Sequence, residues 1–228
     1  MIFAATDTTS GGMARLMHLL ATHQDVQERL RAEVAEARKK FGHRELTHDE
    51  LNTLPFLDGI VRETLRLHPP VTAIQRTTNT DMMLPLSKPI IDKNGNELRE
   101  VFVPKDTDLI ISIISSNRNK DIWGEDAEEW KPERWLKPLP DSLINAKIPG
   151  TTSHIMTFLG GSRGCIGFKF SQIELKVALS VLLEKFKVDL SDKKIRWDMN
   201  LITNPMLADN SSTRPQMPLM FSLLQSEV

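Results

Sequence analysis

The chain has 228 residues, 40% of them hydrophobic, enough to bury a substantial core as one large domain or two small ones. Its 29 basic and 30 acidic residues leave a formal net charge of −1, which gives no reason to expect nucleic acid or an acidic membrane surface as the main partner. The single cysteine, Cys165, excludes an internal disulfide, a paired-cysteine redox motif and a cysteine-clustered zinc or iron–sulfur site, and no apolar run is long enough to span a bilayer.

In chain order, Met1 to about Ala21 reads as a helix already under way at its first residue, with no polar cap ahead of it, so the chain is expected to be the C-terminal part of something longer. Thr22 or Asp25 is the expected cap of a second helix, in which Val26, Leu30 and Val34 recur at helical spacing and Gly42 follows as the stop. Thr47 and Glu50 form a capping-box pattern for a short helix. TLPFLDGIVRETLRLHPP reads as a helix with Pro55 near its first turn and Pro69–Pro70 at its end. The β-branched runs ELREVFVP and DLIISIIS, with an Asn94–Gly95 turn, predict hairpins between Ile90 and Ser115. A polar stretch rich in tryptophan leads to an irregular segment from Leu139 to Ser153. FKFSQIELKVALSVLLEKF predicts a helix with Ile173, Val177, Val181 and Phe186 facing inward, and the proline-broken tail from Lys187 predicts terminal hairpins. Long helices with a minority of strands give a mainly α fold with small β-sheets.

Cys165 lies in FLGGSRGCIG, Phe158 to Gly167, beside four of the eleven glycines. A free cysteine is often simply a small buried hydrophobe. Here, however, the glycines let the backbone pass close to a flat object, and backbone amides with the N-terminus of a helix starting near Gly167 favour a thiolate. An anionic sulfur is a nucleophile or a metal ligand. The first role wants a histidine base, and the only histidine after His68 is His154, whose position relative to Cys165 no motif fixes. The second, with one thiolate, fits a haem iron with one axial cysteine, and Arg163 is then placed to reach a haem propionate.

The same residues carry a resemblance. Phe158-Leu159-Gly160-Gly161-Ser162-Arg163-Gly164-Cys165-Ile166-Gly167 is similar to the haem-binding signature of the cytochrome P450 family. Glu63-Thr64-Leu65-Arg66 resembles that family's Glu-x-x-Arg helix motif, a weak pattern alone because i, i+3 charge pairs are common. WKPERW supplies Arg134 where the family has a second arginine. The resemblance implies that Glu63, Arg66 and Arg134 form a structural cluster tying the helix to the meander before the cysteine loop. Arg76 falls where the family places another propionate-binding arginine, the plain alternative being a solvated cation at a strand end. Ala4-Ala5-Thr6-Asp7-Thr8-Thr9 resembles the family's oxygen-activation stretch, except that glycine is usual at Ala5. Asp and Thr are poor helix formers, so this run suits a functional role, with Asp7 the acid and Thr8 the hydroxyl of a proton relay. A solvent-facing polar patch is the plain alternative.

The order of the motifs also follows the family, firmly from Met1 to about Phe186 and loosely in the tail. The resemblance implies that residues 1–228 are the C-terminal part of one haem domain whose N-terminal part and membrane anchor are absent. It implies a haem-thiolate monooxygenase that inserts one atom of dioxygen into a small organic substrate. Haem b is then held through Cys165, with Arg163, Arg76, Phe158, Gly160, Gly161 and Gly167 around it. Electrons come from an NADPH-dependent flavoprotein reductase, and the parent protein lies on the cytosolic face of the endoplasmic reticulum. Substrate contacts are expected at Ala4, Ala5, Thr8, Val71 to Ile74 and Met206, by analogy alone. Two alternatives stay open: a haem-thiolate isomerase or dehydratase, which Asp7–Thr8 disfavours, and a non-catalytic fragment that does not hold haem on its own.

Overall fold

The computed structural model describes residues 2–146, 148, 150, 154–209 and 212–224. They divide into two units, Met1–Thr72 with Ile113–Val228, and Ala73–Ser112. Helices dominate the first and strands make up the second, in keeping with a mainly α fold with small sheets.

In the first unit, α1 (Ile2–Thr22) runs almost directly into α2 (Gln24–Lys40). The cap of α2 is neither Thr22 nor Asp25 but His23, which offers no side-chain cap bond. Thr22 spends its hydroxyl within α1, donating to His18 O at 2.8 Å, and Asp25 sits in the first turn of α2, where its charge meets the positive end of the helix dipole. The stop at Gly42 holds: its φ of 89° is open to glycine at no steric cost. Ahead of α3 (His48–Asn52), Thr47 and Glu50 form the capping box, each side chain accepting from the other's backbone N–H. Helix α4 (Pro55–Leu67) starts at Pro55, and two of its free N–H groups, on Phe56 and Leu57, donate to the Glu33 carboxylate of α2.

The main core collects Leu16 and Leu20 from α1, Leu30 and Val34 from α2, Leu57, Ile60 and Val61 from α4, and Leu175, Leu179 and Leu183 from α8 (Phe168–Lys185). Those three leucines, four apart, are the inward ridge of α8. Val177 points out, 43% exposed, because two positions along a helix is more than half a turn away from the ridge. Phe186 has already left the helix and opens β5 (Phe186–Leu190). In the tail, β6 (Ile195–Met199) and β7 (Thr203–Leu207) make a hairpin as expected, but β5 pairs with the distant β8 (Leu219–Leu223). Between the units' return and α8 come α5 (Ile113–Asn117), α6 (Lys120–Trp123), a 3-10 turn at Pro132–Leu136 and α7 (Asp141–Ile144). That last helix falls inside the segment expected to be irregular, of which residues 147, 149 and 151–153 lie outside the described residues.

In the second unit, β2 (Met82–Ile91) and β3 (Glu97–Val103) are antiparallel across the Asn94–Gly95 turn. Asp92 accepts from the N–H of both Asn94 and Asn96, and Gly95 takes a φ of 85°. The run expected to form a hairpin with β3 does not: β4 (Asp108–Ser112) pairs with β1 (Ala73–Thr77). Thr78 enforces this. Its N–H donates to Thr107 O, its carbonyl accepts from Asp106 N and its hydroxyl donates to Pro104 O, which draws the start of β4 to the end of β1.

His68, the C-cap of α4, is half-buried. Burial holds its imidazole down to about 3, with further lowering from the positive charges of Arg15, Arg118, Arg66 and His18. The unfolded value is near 6.5, so as pH falls through 6.5 the unfolded chain takes up the proton first and stability is lost between that pH and about 3. At pH 5 this amounts to about 2 kcal/mol relative to neutral pH. Urea unfolding at pH 7 and pH 5 measures it, and His68→Asn is expected to flatten the difference.

Candidate functional site

The segment 158–167 opens with Phe158, which is buried in the main core and meets Phe168 of α8 at 6.2 Å between ring centroids. From there the chain turns through Leu159, at φ 56°, an extended Gly160, and a 3-10 turn over Gly161–Arg163 that begins with Gly161 at φ 65°. It closes on itself where Cys165 N–H donates to Phe158 O at 2.8 Å. One end of the loop is thereby anchored in the core while Cys165 and Arg163 stand exposed at the other. Arg163 has no hydrogen bond or ion pair among the described residues. Gly167 caps α8, and a Cβ added to Gly161 or Gly167 meets nothing within 4 Å. Two large apolar side chains close to Cys165 in sequence stand in the open, Ile166 directly after it at 83% exposed and Phe170 in the first turn of α8 at 65%.

This arrangement fits a haem held by one thiolate. The donor set is a lone sulfur, and no group of three His, Cys, Asp or Glu suited to a metal ion occurs among the described residues. The glycines add no side chains of their own to the loop, and the exposed Ile166 and Phe170 give this stretch of chain apolar surface. Cys165, Arg163, Phe158, Gly160, Gly161 and Gly167 are the residues of this loop that could hold one. Arg76 lies in the second unit, exposed on β1, and donates to Gln75 O at 2.8 Å.

Behind the loop, α4 carries a buried polar hub. Glu63 and Arg66 are both 0% exposed. Arg66 clamps the Glu63 carboxylate with Nε and a terminal nitrogen, each at 2.8 Å, and spends its remaining N–H groups on the carbonyls of Asn117, Ala127 and Glu129. Glu63 also accepts from Arg134 Nε at 3.3 Å, from Trp135 Nε1 at 3.0 Å and from Lys131 N at 3.1 Å. Arg134 continues to Asp126 at 2.8 Å, and this bond holds the Asp126 carboxyl below the usual carboxylate range. Asn117 and Thr157 then connect the hub to the loop. The Asn117 amide donates to Arg66 O and Thr157 Oγ1 and accepts from Met156 N, while the Thr157 hydroxyl donates to Leu65 O. Asp126, Asn117, Trp135 and Thr157 were not singled out by the sequence; the two tryptophans flanking PER in WKPERW were the available signal.

On α1, the Thr8 hydroxyl donates to Ala4 O at 2.7 Å, and Thr6 does the same to Ile2 O. Both are ordinary helix back-bonds. Thr8 and Asp7 are half-buried, Ala4 and Ala5 exposed. Ala5, Thr6 and Thr9 line a cleft of about 450 Å³ whose other wall is Phe170 and Glu174 of α8. Further along, a Cβ on Gly11 would stand 3.2 Å from Thr203 O, one on Gly12 lies against Leu65 and Pro70, and Thr203 N–H donates to Pro70 O. The end of α4 and β7 thus meet on α1. Met206, on β7, is buried, and Val71 is half-buried just after Pro70. Ile74 belongs to the second unit, on β1.

Residues 1–210 match the family model for cytochrome P450, and the chain belongs to that family. Among its curated relatives, it is 53% identical over 218 residues to "Cytochrome P450 monooxygenase 91" of Postia placenta and 50% identical over 219 residues to "Ganoderic acid synthetase CYP5150L8" of Ganoderma lucidum. Both alignments take in 96% of this chain and 40% of the relative. It is 44% identical to "Cytochrome P450 monooxyhenase eriI" of Hericium erinaceus over 98% of the chain. The chain thus spans about 40% of the length of the relatives it matches. Among the described residues no helix is long and apolar enough to cross a membrane.

Proposed function

We propose that residues 1–228 belong to one haem domain of a monooxygenase that uses a cysteine thiolate to hold its haem. The carrying observation is the cysteine loop: Cys165 stands exposed, followed by the exposed Ile166, on a turn tied to the core by its own N–H. A haem held there by one thiolate would supply the cleavage of dioxygen, one atom entering an organic substrate and the other leaving as water with two electrons and two protons. An NADPH-dependent flavoprotein reductase is the electron source in this reading.

The protein's own part is to hold, orient and protonate. Cys165 supplies the ligand, and the Cys165 N–H bond to Phe158 O fixes the sulfur's approach. Arg163, exposed and without a partner among the described residues, pairs with a propionate. The hub around Glu63 keeps the chain leading into the loop in place through Asn117 and Thr157. Asp7 and Thr8, on the helix that lines the cleft with α8, pass protons toward the reacting oxygen. Ala4, Ala5, Val71, Ile74 and Met206 are the proposed substrate contacts, and Arg76 a second propionate partner.

Haem titration of the purified protein followed by the reduced, carbon-monoxide difference spectrum tests this. The wild type is expected to give the thiolate-type spectrum, and Cys165→His to keep haem while losing that signature. A variant that retained it would overturn the ligand assignment. In the full-length protein, with reductase and substrate present, Thr8→Ala is expected to lower product formed per NADPH consumed and to raise hydrogen peroxide release; unchanged coupling would remove the relay.

A further inference from the structure

Two turns beyond Thr8, the same face of α1 carries a second polar cluster that the reading above does not use. Arg15 and His18 project from α1, His68 closes α4, Arg118 follows α5, and Trp197 comes from β6. The Arg15 guanidinium lies flat on the Trp197 ring, its carbon 3.4 Å from the centroid. Trp197 Nε1–H donates to His18 Nδ1 at 3.1 Å, and the two rings stack at 5.8 Å. That bond leaves the proton of a neutral His18 on Nε2, a donor. Arg118 donates to Leu67 O through Nε and a terminal nitrogen, and the latter reaches His68 Nδ1 at 3.5 Å.

We propose that this cluster is a binding site for an oxoanion, a carboxylate or phosphate group held chiefly by Arg15. The site is rich in donors, and the carboxylate that acts on it, the exposed Glu128, acts on Arg118 without an ion pair and is not among the groups that shift Arg15 or His18. Neither Arg15 nor Arg118 makes an ion pair among the described residues, and Arg15 makes no hydrogen bond there either. Its Nε is buried without an acceptor, a standing penalty that an accepting oxygen would relieve. Trp197 covers one face of the guanidinium, so a ligand must come to its edge, where the planar fork matches two oxygens of a carboxylate or phosphate. Arg118 and His18 add charge and a donor alongside. The electrostatics agree. Burial and then the charge of Arg118 bring Arg15 down to about 9, while burial and then Arg15 lower His18. Burial leads both shifts, and a neighbouring positive charge adds to each.

One chemistry has two sources, a free small anion or the acid group of an amphipathic organic molecule. The test uses the purified protein at matched ionic strength with chloride as reference. Tryptophan fluorescence and melting temperature are read against acetate, phosphate, dodecanoate and dodecanol. A saturable response to acetate or phosphate, at low-millimolar concentration or below, supports the free-anion source. A response to dodecanoate well beyond that to dodecanol supports the organic acid. In either case Arg15→Met is expected to weaken binding at least tenfold, and His18→Asn, which keeps both arginines, to weaken it less. No response beyond chloride overturns the proposal. So does an equal response to dodecanoate and dodecanol with the free anions silent, or binding that both variants retain unchanged.

Discussion

Glu63→Gln is expected to cost about 3–5 kcal/mol of folding stability, the range for breaking one partner out of a buried ion cluster. The side chain is fully buried, and its two oxygens accept from Arg66, Arg134, Trp135 and the Lys131 backbone. An amide of the same shape can accept on only one side. Its NH2 turns a second donor against N–H groups already in place, and Arg66 keeps a buried charge without its carboxylate. Against a total of roughly 5–15 kcal/mol for a domain, that loss separates folded from unfolded. Glu133→Gln is the internal control. Glu133 pairs with Arg29 at the surface at 2.7 Å with both side chains partly in water, and its loss is expected to stay below about 1 kcal/mol. Urea unfolding of both variants decides the matter, and a Glu63 variant as mild as the control would show that the hub does not hold the fold.

Gly59→Val is the second large effect, at about 3 kcal/mol. A Cβ at this position in α4 would stand 2.8 Å from the Pro132 carbonyl oxygen and 3.4 Å from Trp135 Cβ. The obstacle is backbone, so it cannot rotate away. Moving the 3-10 turn at Pro132–Leu136 would carry Arg134 and Trp135 off Glu63. The gain from replacing glycine in a helix, below about 1 kcal/mol, does not offset this. Thermal melting measures the loss; a variant as stable as the parent would mean that the turn does not pack closely on α4.

What the sequence exposed was local. The Thr47–Glu50 box and the Asn94–Gly95 turn are set by residues three or fewer apart, and they could be read directly. The start of α2 could not, because the cap is His23, which makes no side-chain cap bond, while the two cap-like residues beside it are engaged otherwise, Thr22 inside α1 and Asp25 in the first turn of α2. The partner of β4 was hidden for a different reason: Thr78 ties β4 to β1 through two backbone bonds that any residue could make and a hydroxyl whose partners, Pro104 O and Thr107 N, lie 26 and 29 residues away. In α8 the apolar residues run nearly all round the helix, so Val177 and Leu175 were equally plausible inward positions until α1, α2 and α4 supplied a core on one side. The candidate site divides the same way. Glu63 and Arg66 show a spacing, and the cysteine loop shows a pattern of glycines. The carbonyls of Asn117, Ala127 and Glu129 that complete Arg66 have no residue-type signature. Arg15, His18 and Trp197 come together from positions nearly 180 residues apart.

The hub also has a place in time. Arg66 draws its acceptors from 51 to 63 residues downstream, and Glu63 its outer donors from 68 to 72. A chain must close those long loops before either group is satisfied, and loop closure of that span is disfavoured until other contacts hold the ends near. Until then α4 carries an i, i+3 pair that water can solvate, and nothing penalises it. The bonds that make the cluster costly to break are therefore expected to form after the main barrier, as a latch on the finished fold. Stopped-flow kinetics of Glu63→Gln would show this as faster unfolding with refolding little changed; a matching loss in the folding rate would place the hub in the nucleus.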